Sequence, residues 1–134
     1  MLKKICSFLK IGGIFILDMC NRERLAVKLD GLLDKREYIQ GNKHWWKIND
    51  ALIGLAQVDF KIEKNIARFE FSLFEKDVGI KGKSVISLKL YSLSEIKNIL
   101  KKAGFKIKAI YGDFDHSPYT FISPRLIIVS EKSG

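Results

Sequence analysis

Between residues 56 and 90 apolar side chains recur at every second position in three separate runs. Ala56, Val58 and Phe60 alternate with Gln57 and Asp59; Phe69, Phe71 and Leu73 alternate with Arg68, Glu70 and Ser72; Ile86, Leu88 and Leu90 alternate with Ser87, Lys89 and Tyr91. Successive side chains of a strand point to opposite faces, so this period buries one face of a sheet and wets the other. The polar stretches 61–65 and 76–83 supply the turns. The pattern predicts a three-stranded antiparallel meander and constrains this part of the chain more tightly than any other feature.

The flanking segments have a different period. Met1, Ile5, Phe8 and Leu9 share one helical face opposite Lys3, Lys4, Ser7 and Lys10, which predicts a helix over 1–10 ended by Gly12-Gly13. Ile14 to Leu17 is an unbroken apolar run, expected to be a strand buried on both faces and interrupted from Asp18 onward. Asn21 can cap a second helix whose Leu25, Leu29, Leu32 and Leu33 share a face. Ser92-Leu93-Ser94-Glu95 has the spacing of a capping box, followed by the apolar stripe Leu93, Ile96, Ile99, Leu100 and Ala103 and by Gly104 as the stop. A strand over 105–111, a loop over 112–123 and a final strand over 124–130 complete the order.

The chain has 134 residues, 47% of them hydrophobic and 29% charged, enough for one domain with its own core. The net charge of +9 invites a nucleic-acid reading. The lysines are spread along the whole chain rather than gathered with aromatics into one patch, which favours a solvated lysine-rich surface. Cys6 and Cys20 make no C-x-x-C pair, and His44 and His116 are far apart, so reduced thiols of a cytoplasmic protein are expected and no metal site. The N-terminal apolar stretch is interrupted by Lys10 and Asp18 and has no small-residue cleavage site, so it reads as folded structure rather than a leader. No run approaches the roughly 20 apolar residues of a membrane span.

Five phrases in order carry a resemblance. They are Leu9-Lys10-Ile11-Gly12-Gly13 running into Ile14–Asp18, Tyr91-Ser92-Leu93-Ser94-Glu95, Lys102-Ala103-Gly104-Phe105-Lys106, Tyr111-Gly112-Asp113-Phe114-Asp115, and Ser123-Pro124-Arg125-Leu126. In this order and spacing the chain resembles the C-terminal half of a class I S-adenosylmethionine-dependent methyltransferase. The resemblance implies an α/β fold: a partial Rossmann-like methyltransferase sheet of strands five, six and seven, in a single domain over 1–134 with the antiparallel meander inserted at about 44–91. It also implies that the glycine-rich loop and the ribose-binding acid of the family precede the residues present here. Gly12-Gly13 cannot replace that loop, because it precedes its strand instead of following one into a helix. S-adenosylmethionine is therefore the family's cofactor, with no cofactor-binding residue expected in this chain.

Ligands of open α/β sheets bind beyond the carboxyl ends of the parallel strands. That rule gathers Asn21 and Arg22, Asp113 and Asp115, and Arg125 at one edge, where the resemblance adds His44, Trp45, Trp46 and Tyr91 as a substrate cover. Each has a structural role open to it as well: Asp113 and Asp115 as turn residues, Arg125 as an ion-pair partner, the tryptophans as packing, Asn21 as a helix cap. The functional expectation is methyl transfer to a small-molecule acceptor, with the chain inactive alone; the alternative is a non-catalytic binding or assembly module derived from the same fold. The segment 14–18 is expected to pair with a second copy or a separate chain, because it is apolar on both faces and, in the strand order the resemblance implies, lies at a sheet edge.

Overall fold

The computed structural model describes residues 1–29, 38–40 and 43–134. The elements, in order, are α1 (Leu2–Phe8), β1 (Ile14–Cys20), α2 (Arg22–Leu29), β2 (Tyr38–Gln40), β3 (Lys43–Lys47), β4 (Leu52–Lys61), β5 (Ile66–Glu75), β6 (Gly79–Lys89), α3 (Leu93–Ala103), β7 (Phe105–Tyr111) and β8 (Arg125–Lys132). They form two compact units, Met1–Arg24 with Tyr91–Gly134, and Leu25–Leu90. Leu32 and Leu33, expected on the second helix, lie outside the described residues.

In the first unit the sheet order is β1-β8-β7, with β8 antiparallel to both neighbours. One face carries Phe15, Leu17, Met19, Phe105, Leu126 and Ile128, against which α1 and α3 pack with Cys6, Ile96 and Leu100. The Phe15 and Phe105 rings meet at 5.2 Å between centroids. The stripe of α1 that packs here is Leu2, Ile5, Cys6 and Leu9, at the spacing of one helical face. Of the expected face Ile5 and Leu9 pack here, whereas Met1 and Phe8 are 96% and 77% exposed and Leu2 and Cys6 take their places.

The helix is also shorter than expected. It stops at Phe8, and Leu9 is already extended (φ −89°, ψ 146°). Gly12, at φ +79°, turns the chain so that its N–H reaches the Lys132 carbonyl at 3.0 Å and launches the β1–β8 pairing. β1 does not break at Asp18 but runs through Cys20, because Asp18, Met19 and Cys20 continue the register opposite Ile127, Leu126 and Arg125. Nor is β1 covered on both sides: Ile14 and Ile16 are 52% and 60% exposed, on the sheet face opposite the helices.

α3 matches its expected bounds. The Ser92 hydroxyl accepts from the Glu95 N–H at 3.2 Å, and Gly104 closes the helix in the left-handed region at φ +99°. β8 is longer than expected and is followed by Ser133, whose N–H donates to the Gly104 carbonyl at 3.0 Å.

The second unit holds a five-stranded antiparallel sheet in the order β2-β3-β4-β5-β6, two strands more than the alternation predicted. β3 was hidden because Lys43–Lys47 has adjacent tryptophans instead of an alternating pattern. The stretch 80–83, expected in a turn, belongs to β6; the turn is confined to 76–78, with Asp77 at φ +64°. In register, Val58, Phe69 and Ile86 lie side by side, as do Phe60, Ala67 and Leu88, but the expected buried face does not extend over β6, where Ile86 and Leu88 are 47% and 44% exposed. On the other face Glu70 takes Lys83 at 2.7 Å and Arg68 at 2.9 Å, and these cations hold its carboxyl below the usual range.

Candidate functional site

Because β1 and β7 are each antiparallel to the β8 between them, they run parallel to one another. Their carboxyl ends and the start of β8 therefore fall at one edge of the sheet, with Cys20 opposite Arg125 and Tyr111 opposite Ile127. Asn21 and Arg22 leave β1 there, Asp113 and Asp115 follow β7, and Arg125 opens β8.

Asn21 organises this edge. Its side chain is 1% exposed. The two N–H groups of the amide are shared among the carbonyls of Thr120, Phe121 and Ser123, at 3.2, 3.1 and 2.9 Å from the nitrogen. Its Oδ1 accepts from the Glu23 N–H at 3.2 Å, the expected helix-capping bond, and from the Tyr119 hydroxyl at 2.9 Å. Every donor and acceptor of the side chain is used, so Asn21 holds the loop and has nothing left to offer a ligand. The Ser123 hydroxyl accepts from the Thr120 N–H at 2.7 Å. Gly112 brings the end of β7 against this turn: it donates to the Ser117 carbonyl, accepts from the Arg125 N–H, and a Cβ there would collide with the Ser123 side chain. Burial, and then the nearby Glu23 carboxylate, push the Tyr119 hydroxyl above its usual range.

On the exposed face of the sheet Arg125 binds Asp18 with two parallel bonds of 2.8 Å, and its guanidinium lies 4.8 Å from the Phe114 ring centre. The Asp18 carboxylate raises the Arg125 pKa. Both side chains are partly solvated, so the pair contributes at most about 1 kcal/mol. A double-mutant cycle of Arg125→Ala with Asp18→Ala, read by urea denaturation, should give a coupling below that value; a larger one would mark the pair as a structural clamp.

The acidic pair after β7 is engaged in the turn. Asp113 accepts from the Phe114 N–H at 2.8 Å. Asp115 takes the Ser117 hydroxyl, and also the Ser117 N–H at 3.0 Å, contacts that lower its pKa. Arg22 pairs with Glu23 at 3.2 Å. Tyr91 packs against the core cluster. Trp45 lies in the second unit, 5.8 Å from the Phe74 ring. The edge thus brings Asn21, Arg22, Asp113, Asp115 and Arg125 together, while Trp45 belongs to the other unit.

A groove of about 560 Å3 opens at the same edge, on the helix side of the sheet. One wall is the flank of α3, with Ser94, Lys97, Asn98 and Lys101 beside Leu93; the other includes Glu23, Tyr119 and Phe121. None of these residues is a site candidate in the sequence, where Leu93 and Ser94 stand as parts of the α3 capping box. Positions 94, 97, 98 and 101 do form a polar flank beside the apolar stripe, but such a flank is ordinary solvated helix surface until another segment faces it. Among the described residues no group of three or more His, Cys, Asp or Glu side chains could hold a metal ion, and no helix is long and apolar enough to cross a membrane.

No family model matches the chain, and no curated protein sequence matches it. Solved structures do. The CcbJ methyltransferase from Streptomyces caelestis superposes with a TM-score of 0.77 at 13% identity, over 98% of this chain and 51% of that one. An S-adenosylmethionine-dependent methyltransferase from Clostridium acetobutylicum gives 0.74 at 18% identity, over 99% of this chain and 50% of that one. The amino pentose methyltransferase CalS10 from Micromonospora echinaspora, solved with its cofactor bound, gives 0.57 at 13% identity over 98% and 49%. The chain spans about half the length of these proteins. Over that length it has the fold of S-adenosylmethionine-dependent methyltransferases.

Proposed function

We propose that the chain is the acceptor-side, C-terminal half of an S-adenosylmethionine-dependent methyltransferase, with β1, β8 and β7 as its strands five, seven and six. The observation that carries this reading is that nearly all of the chain superposes on half of each neighbour. The sheet order, with the last strand inserted antiparallel between two parallel ones, supports it. An amine on a small molecule is the acceptor class this reading favours, since the similar CalS10 is an amino pentose methyltransferase and the similar KedS8 a sugar N-methyltransferase. The setting is cytoplasmic, where Cys6 and Cys20 remain thiols.

The residues present do not fit the cofactor. The strand-to-helix junction that leaves β1, Cys20-Asn21-Arg22, has no glycine, and its asparagine is fully engaged. Gly112, after β7, packs against Ser123 instead of opening a helix. The seat for the methionine and ribose portions therefore belongs to another stretch of polypeptide, and the chain alone is inactive. That polypeptide docks along β1. Titration calorimetry of the 134-residue chain with S-adenosylmethionine should show no saturable heat. One-to-one binding in the micromolar range or tighter would overturn the proposal that the cofactor seat lies elsewhere.

A further inference from the structure

The groove between α3 and the 119–121 turn has two features that folding alone does not account for. Lys97 and Lys101 lie one helical turn apart on the same wall, and neither has an ion-pair partner among the described residues. Like charges at this spacing destabilise a helix slightly, so the pair is relieved by an anion placed between them. Across the groove Phe121 is 60% exposed, yet it is not on a loose loop. Its carbonyl and those of Thr120 and Ser123 are held by the buried Asn21 amide. A large apolar side chain held rigidly in solvent is the arrangement of a contact surface whose ordering cost is met before the ligand arrives.

We propose that this groove binds a small ring-bearing anion, its carboxylate or phosphate between Lys97 and Lys101 and its ring against Phe121. The volume of about 560 Å3 is that of a small-molecule site. Ser94 and Asn98, on the same flank, add donors that a carboxylate or phosphate can use. Glu23, bound to Arg22 on the other side, sets the polarity of the bound molecule, keeping the anionic end toward α3. The proposal stands without the methyl-transfer reading.

The test is an amide-shift titration of the whole chain at constant ionic strength with phenyl phosphate, benzoate and inorganic phosphate. Phenyl phosphate or benzoate should saturate, with the largest shifts at Lys97, Lys101 and Phe121, and the tighter of the two identifies the anion. Inorganic phosphate should bind at least about fivefold more weakly than phenyl phosphate. The Lys97→Ala/Lys101→Ala double variant and Phe121→Ala should each weaken the tighter probe about tenfold, whereas Lys81→Ala, on the second unit, should not. These positions are solvent-exposed, so the variants should keep the parent spectrum elsewhere. Failure of both ring-bearing probes to saturate, or an unchanged affinity in the double lysine variant, would overturn the site. Equal affinity for inorganic and phenyl phosphate would overturn the seat on Phe121.

Discussion

Replacing Asn21 with alanine is expected to lower the unfolding free energy of the first unit by about 3–5 kcal/mol. The change removes five hydrogen-bonding contacts at 2.9–3.2 Å from a side chain almost wholly out of water. Each such bond contributes roughly 1 kcal/mol net, and a buried carbonyl or hydroxyl left without a partner costs about 1–3 kcal/mol more. Water entering the vacated space would offset part of this, which keeps the figure below the simple sum. Domain stabilities are about 5–15 kcal/mol, so the loss is a large share of the total. Urea denaturation should show a lower midpoint with an unchanged slope.

Asn21→Asp separates the hydrogen-bonding role from mere size. Its carboxylate would face the three carbonyl oxygens that the amide now donates to. Burial among acceptors raises the carboxyl pKa in the folded state, so this variant should gain stability as pH falls, when protonation restores one donor. A loss below about 1 kcal/mol for Asn21→Ala would show that the amide is not what holds the 120–123 turn.

The isolated chain is expected to sediment as a dimer at tens of micromolar, and Ile16→Lys as a monomer. β1 is an end strand of its sheet, and its outward face carries Ile14 and Ile16, both more than half exposed. α1 packs with α3 on the opposite face and leaves these side chains uncovered. The other end strand, β7, carries Lys106 and Lys108, the kind of charge that discourages edge pairing; β1 has neither lysine nor proline. With no complementary polypeptide present, a second copy of β1 is the nearest strand of matching pattern, and a two-fold axis would pair each edge with itself.

A lysine at the centre of that contact would bury an unpaired charge, a cost of about 3 kcal/mol or more, which is at least a hundredfold in dissociation constant. Because Ile16 is exposed in the single chain, the same change should leave its folding stability within about 0.5 kcal/mol. A monomer mass for the unaltered chain at tens of micromolar would end the pairing proposal.

The elements that could be read from the sequence are those whose signal is local. α3 carries its own start and stop, Ser92 and Gly104, and its stripe is complete within eleven residues. β4 and β5 announce themselves by alternation, because one face is apolar along their length. The misread elements lack a local signal. α1 is too short for its periodicity to distinguish Cys6 from Phe8, and only contact with Leu100 and Phe105 across the core decides between them. β1 was expected to stop at an acidic residue, and it continues because Asp18, Met19 and Cys20 pair in register with Ile127, Leu126 and Arg125 of β8, more than a hundred positions away.

Local pattern was enough for the caps of α3 and the alternation of β4 and β5, and the family resemblance added the gathering of Asn21, Arg22, Asp113, Asp115 and Arg125 at one sheet edge. The caps and the alternation follow from periodicity and from glycine at a left-handed position, the gathering from the strand directions that the resemblance implies. What those residues do once there depends on contacts made in the folded chain. A side chain has a fixed set of donors and acceptors, and which are spent depends on partners about a hundred residues distant. Asn21 is consumed by the 120–123 turn, while Lys97, Lys101 and Phe121, ordinary on any helix or loop, are set across one groove by folding, where the anion site is proposed.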